Sequence, residues 1–171
     1  MKQDGHDNFF YAFDFSHQAV SVLKNNAKYD PSKCHAFVHD LSLDAAIDEI
    51  EPESLDVITL IFVLSALSPN RQAIAIAKLA RLLKPGGVIL FRDYGKYDLT
   101  QLRFKKDRLL DEDFYVRGDG TCVYYFTQEK VSELFGDFEK LDLKIDTRLL
   151  VNRKRKLQMH RVWLQGKFKK L

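Results

Sequence analysis

The chain reads as an α/β protein built on a doubly wound, mainly parallel sheet, and three observations carry that reading. Apolar, β-prone runs alternate with helix-patterned segments across residues 9–91. Residues 55–64 are apolar at nearly every position, as a parallel strand covered on both faces requires. Residues 79–95 run from a helix with basic residues near its end through Lys84-Pro85-Gly86-Gly87 into a strand that stops at the charged tip Arg92-Asp93-Tyr94.

Each element has a local reason. Phe9-Phe10-Tyr11-Ala12-Phe13 is a short strand run ending at Asp14. Ser16 is placed to cap a helix whose apolar face is Ala19, Val20, Val22 and Leu23, and Tyr29-Asp30-Pro31-Ser32 breaks it. Ala36-Phe37-Val38 is the next strand, ending at Asp40-Leu41, and residues 43–50 pattern as a short acidic helix. After the 55–64 run, Ser68-Pro69 opens a helix, since proline is tolerated in a first turn. That helix carries Ile74, Ala77, Leu79, Leu82 and Leu83, and residues 88–91 are the strand behind it. Past residue 95 the alternation stops. A polar stretch dotted with aromatics reaches Gly120, residues 123–126 pattern as a strand, and Thr127 caps a helix to residue 135. Two strand-like runs, 141–151 and 160–168, then enclose a basic hairpin loop. There is no internal repeat, and a single domain is expected over 1–171.

Composition narrows the class. No apolar run is long enough to span a bilayer, and Met1 to Asn8 carry no secretory pattern. Two cysteines, Cys34 and Cys122, argue against a disulfide framework and fit a reducing compartment. A cytoplasmic location is expected, with the mitochondrion as the alternative because targeting information would lie upstream of Met1. Charge is unevenly placed: the net is −7 over residues 1–69, +1 over 70–143 and +9 over 144–171. The basic end suits a polyanion such as nucleic acid, or else it is a solvated hairpin with basic tips. His35 and His39 stand about 13 Å apart if both lie on one strand, too far to share a metal ion. Ser65 lacks a Gly-x-Ser-x-Gly context, so a hydrolase reading fails.

In open α/β sheets ligands sit at the carboxyl ends of the strands. The tips here are Asp14, Asp40, residues 61–65 and Arg92-Asp93-Tyr94. A carboxylate such as Asp14 suits a ribose diol. Asp40 suits an exocyclic amine, with Leu41 and Ile61 as apolar walls for the ring.

Several segments together resemble the eukaryotic tRNA 3-methylcytidine methyltransferases. They are Asp14-Phe15-Ser16, Phe37-Val38-His39-Asp40-Leu41, residues 60–66, residues 83–87, Phe91-Arg92-Asp93-Tyr94-Gly95, residues 101–106, residues 114–121 and residues 159–168. The C-terminal words look most like the branch acting on threonine- and arginine-type tRNAs. The resemblance implies a Rossmann-like class I methyltransferase sheet. Relatives carry a longer N-terminal region, so it also implies that this chain lacks strand 1 and its glycine-rich turn and is a partial methyltransferase domain.

The implied reaction is methyl transfer from S-adenosylmethionine to N3 of cytidine at a position-32 type site in the anticodon loop. The cofactor would meet Asp14, Phe15, Asp40, Leu41 and Ile61. Asp93 would hold the exocyclic amine of the base, and Tyr94 and Phe91 would stack on it. Arg92, Arg103, Lys105, Lys106, Arg117, Arg153, Lys154 and Arg155 would bind RNA. tRNA is the implied partner, with an accessory protein or a tRNA synthetase beside it; no metal and no membrane are expected. Gly118-Asp119-Gly120-Thr121 is a turn, followed by Cys122 where the family usually has arginine. Two alternatives stay open: a non-catalytic RNA- or partner-binding remnant, and a small-molecule methyltransferase.

Overall fold

The computed structural model describes residues 8–154 and 156–171, which fall into two compact units. Arg155, one of the expected RNA contacts, lies outside the described residues.

The first unit runs to Glu51. In it β1 (Phe10–Asp14) pairs in parallel with β2 (Cys34–Val38), and α1 (His17–Lys24) connects them. Ser16 does cap α1, its Oγ accepting from Ala19 N at 3.2 Å. Of the apolar residues expected to face inward, Val20 is buried, whereas Val22 and Leu23 are exposed. Residues 43–50 form turns and irregular backbone, not the expected helix. Asp40 Oδ1 accepts from both the amide (2.8 Å) and the hydroxyl (2.7 Å) of Ser42, and this local turn competes with the first turn of a helix. Ile47 and Ile50 are buried from that irregular backbone.

The second unit spans Pro52–Leu171. Its main sheet has the order β3 (Leu55–Ile61), β4 (Leu83–Tyr94), β9 (Leu157–Lys170), β8 (Phe138–Asn152). β3 and β4 are parallel; β4–β9 and β9–β8 are antiparallel. A small antiparallel sheet joins β5 (Leu109–Asp111), β6 (Phe114–Val116) and β7 (Cys122–Tyr124). The strands thus divide among three sheets where one doubly wound sheet was expected, and β1 and β3 belong to different ones. α2 (Pro69–Leu82) passes straight into β4. The Pro-Gly-Gly segment is a bulge within that strand, opposite Leu55 and Val57, and Gly86 takes φ +78, a conformation glycine adopts without strain.

One face of the main sheet is the core. Ile58, Leu60, Ile89, Phe91, Leu164 and Phe168 are buried there, as are Ile76, Leu79 and Leu82 of α2 and Val131 of α4 (Gln128–Leu134). Phe135, just past α4, stacks on Phe168 with centroids 4.0 Å apart. The opposite face is open: Val57 is 53% and Ile61 47% exposed, and Leu90 is exposed too. The 55–64 run therefore alternates along β3 and is covered on one side only. Ile74 of α2 points outward as well, while Gln72 takes a buried place on the helix. Pairing of β4 ends at Tyr94↔Trp163, but β8 and β9 continue paired from Thr147↔Val162 to Asn152↔Leu157, and Val162 still accepts from Gly95 N at 2.9 Å. Among the described residues no helix is long and apolar enough to cross a membrane.

Gly166 leaves no room for a side chain on β9. A Cβ there would stand 2.5 Å from Phe168 Cε2 and 2.9 Å from its Cζ, against a ring that is already buried and stacked. Gly166→Ala is expected to cost about 1–3 kcal/mol in urea unfolding. A change below 0.5 kcal/mol (about the scatter of neutral surface substitutions) would mean that the aromatic stack gives way freely.

Candidate functional site

The strand tips of the second unit are drawn together by one carboxylate. Asp93 Oδ2 accepts from Ser65 N at 2.9 Å, and Oδ1 accepts from Tyr94 N at 2.9 Å. Ser65 sits in the short 3₁₀ turn Leu64–Ala66 after β3, so the bond joins the end of β3 to the end of β4. Asp93 is 0% exposed, and burial pushes its carboxyl up to about 6 against the opposing pull of Ser65, Tyr94 and nearby Arg117. Both oxygens are engaged inside the protein. The direct contact with a base expected from the sequence therefore gives way to a positioning role for Asp93.

Phe62, between β3 and that turn, has φ +57, a left-handed backbone that costs a bulky residue about 1–3 kcal/mol. Its amide donates to Arg92 O at 2.8 Å. The unusual backbone sets its ring 4.9 Å from Tyr94 and 6.5 Å from Trp163, and Phe62 remains 39% exposed.

Cations interleave with these rings. Arg117 lies over Tyr94 at 5.4 Å, and Arg161 lies over Tyr94 at 5.8 Å and Trp163 at 5.1 Å. Arg92 lies over Trp163 at 4.8 Å. The order Arg117–Tyr94–Arg161–Trp163–Arg92 is a ladder of cation–π contacts. Arg92 is tied further, donating from Nη1 to Gln165 and from Nη2 to Asp146, each at 2.7 Å. Its geometry favours a role within the sheet over the phosphate contact read from the sequence.

A second buried carboxylate anchors the ladder. Asp98, 0% exposed, accepts from Arg161 Nε and Val162 N at 2.8 Å through Oδ2, and from Thr100 N at 2.8 Å and Oγ1 at 2.6 Å through Oδ1. Burial alone would raise its pKa; the bonds from Thr100, Val162 and Arg161 outweigh that, and the net shift is downward. Thr100 Oγ1 also meets the hydroxyl of Tyr125 at 2.8 Å, and Tyr125, pushed up to about 12 chiefly by burial, stays neutral. Lys96 and Gln101 both donate to Asp113, at 2.6 and 2.8 Å, holding the loop after β4 against the small sheet.

The other expected residues scatter. Phe91 is core, its ring 5.7 Å from both Phe126 and Phe135, and presents no face to a base. Arg103, Lys105, Lys106, Arg153 and Lys154 are exposed, the last two at the tip of the β8–β9 ribbon. In the first unit Asp14 is exposed, with Oδ1 accepting from Ser16 N at 2.8 Å; Phe15 is exposed, Asp40 half-buried and Leu41 buried. Cys34 and Cys122 are both free thiols. Sequence reasoning missed Phe62, Asp98 and Arg161. No local signal marks the first. The other two are a polar residue in a loop and a basic residue in a strand, whose meeting across the sheet no spacing reveals.

The sequence profile described as "Methyltransferase domain" matches residues 2–89. A tRNA N(3)-cytidine methyltransferase of Danio rerio is 56% identical over 165 residues, 95% of this chain and 47% of that protein. The tRNA N(3)-methylcytidine methyltransferase of Schizosaccharomyces pombe is 51% identical over 172 residues, 99% of this chain and 56% of the relative. The chain spans about half the length of such curated relatives. Among solved structures, a SAM-dependent methyltransferase from Methanosarcina mazei aligns with TM-score 0.67 at 16% identity, covering 94% of this chain and 81% of the other, a likeness of fold.

The buried carboxyl of Asp93 makes a pH signature. Its proton is held more tightly in the folded chain than in the unfolded one, so its contribution is fully present below about pH 4 and is lost as pH rises through about 6. Asp93→Asn removes that titration. The stability of the wild type relative to the variant is expected to fall between pH 4 and 6 and stay level above, in urea midpoints compared at each pH. A level difference throughout would show that Asp93 titrates normally.

Proposed function

This chain belongs to the methyltransferase domain family, and from that premise we propose that it forms 3-methylcytidine in the anticodon loop of tRNA, at a position-32 type site, with S-adenosylmethionine as methyl donor. The observation that carries the proposal is the identity of 50–56% over nearly the whole chain to tRNA N3-cytidine methyltransferases.

The chemistry asks little acid–base work of the protein. N3 of neutral cytosine has a lone pair and no proton, so the chain's task is to hold the base in line and settle the positive charge that reaches it. Asp14 fits the cofactor ribose: it is an exposed carboxylate at a strand tip, with one oxygen, Oδ1, fixed by Ser16 N. Asp40, already oriented by Ser42, is the candidate for the adenine amine. When bound, the cofactor supplies an electrophilic methyl on sulfonium. In the second unit, Asp93 holds the tips of β3 and β4, Tyr94 is fixed between cations, and Arg117 stands beside the buried carboxylate. The exposed basic tip of the ribbon, with Arg153 and Lys154, supports a phosphate-binding role. A cytoplasmic site of action, and a synthetase or accessory protein as second partner, belong to the same proposal.

A second reading is RNA binding without transfer: Cys122 stands where the resemblance leads one to expect arginine, and a thiol offers no cation to a phosphate.

Incubating the chain with labelled S-adenosylmethionine and unmodified tRNA, beside the Schizosaccharomyces pombe relative, decides between the two. Label in 3-methylcytidine supports transfer; label only with the relative supports the second reading. For the ribbon, Arg153→Ser with Lys154→Ser is expected to weaken tRNA binding. The slope of log affinity against log salt should become shallower by about 0.7–0.9 for each phosphate that is no longer neutralised. An unchanged slope would remove the tip from the RNA interface.

A further inference from the structure

We propose that Phe62 is the stacking platform for the methyl-accepting base; the inference rests on the tRNA reading above. Three observations converge on it. First, a phenylalanine at φ +57 persists only where its surroundings impose it, and such outliers gather at functional sites. The imposing contacts are on both sides: Phe62 N donates to Arg92 O at 2.8 Å, and three residues on, Ser65 N is held by Asp93. Second, the neighbouring rings already hold cations: Arg117 and Arg161 lie over Tyr94, and Arg161 and Arg92 lie over Trp163. Phe62 stands against both and stays 39% exposed, with no guanidinium over it among the described residues. Third, the surroundings choose the ligand. Arg92 and Arg161 are paired with Asp146 and Asp98, whereas Arg117 over Tyr94 has no salt bridge to a carboxylate among the described residues, which suits a base carried between phosphates.

The ring thus selects for a flat base, while the cations beside it select for the strand that carries the base. Of the tip residues legible in the sequence, Ile61 has no ring and Tyr94 already carries Arg117 and Arg161.

The test uses the chain and an anticodon stem-loop with fluorescent pyrrolocytidine at the target position, comparing wild type, Phe62→Leu and Phe62→Tyr. Leucine keeps apolar bulk without a π-face; tyrosine keeps the ring. The expected result is quenching on wild type and Phe62→Tyr and its loss on Phe62→Leu. Affinity of the leucine variant should fall about fivefold or more, with the salt slope unchanged because every phosphate keeps its cation. Melting curves identify an unfolded leucine variant, in which case the tyrosine variant and Phe62→Met carry the comparison. Quenching that survives in a folded variant without the ring overturns the proposal. So does wild-type binding without quenching, which leaves the tRNA reading standing. Absence of any salt-dependent RNA binding by wild type overturns both.

Discussion

Two amides on one buried carboxylate hold the working end of the larger unit together. Asp93 is the last core-facing residue of β4, and its oxygens accept from its own neighbour Tyr94 and from Ser65 in the turn after β3. A charged group with no exposed surface is costly unless hydrogen-bonded, and here the cost shows as a carboxyl that keeps its proton well above the usual range. What the bond secures is relative position. The turn must close onto Asp93, and Phe62, trapped between β3 and that turn, is driven into a left-handed backbone that places its ring on Tyr94.

The cation–π ladder follows from the same geometry. Tyr94 and Trp163 are directly opposite across β4 and β9, so their rings share the open face of the sheet with Arg92 and Arg161. That face is exposed at Val57, Ile61 and Leu90, and guanidinium groups, planar and weakly hydrated, lie over the rings there. Asp98 fixes the middle rung by accepting from Arg161 and from the next residue's amide. Not every ion pair matters equally. Lys84–Asp56 is exposed on both sides and contributes about 0–1 kcal/mol, whereas removing the buried Asp98 would strip Arg161 of the carboxylate that orients it.

Much of this architecture was legible residue by residue. The caps at Ser16 and Thr127 formed as their side chains required, with Thr127 Oγ1 accepting from Lys130 N at 3.2 Å. The long terminal hairpin was visible as period and punctuation, whereas Leu83, read as the end of the helix before a Pro-Gly-Gly turn, opens β4, and the turn is a bulge within that strand. The failures share a cause. Residues 43–50 had the acidic, apolar-spaced look of a helix, but the Asp40–Ser42 turn and the burial of Ile47 and Ile50 settled the backbone otherwise. The 55–64 run looked buried on both faces because its composition is apolar, yet burial depends on what stands opposite, and among the described residues nothing covers Val57 and Ile61.

The candidate site divides along the same line. The sequence alone determined the strand tips, hence Asp14, Asp40 and the Arg92-Asp93-Tyr94 corner, because strand ends follow from local periodicity and turn chemistry. It also determined the basic ribbon tip and the family resemblance. Only the tertiary structure decided that Asp93 faces the core and braces, that Phe91 is packed away, and that Arg92 serves Asp146 and Gln165. It alone brought Phe62, Tyr94, Arg161 and Trp163 into one cluster. The physical reason is distance along the chain. A side chain's face, partner and charge state are set by residues tens of positions away, and these meet only when the strands take their register.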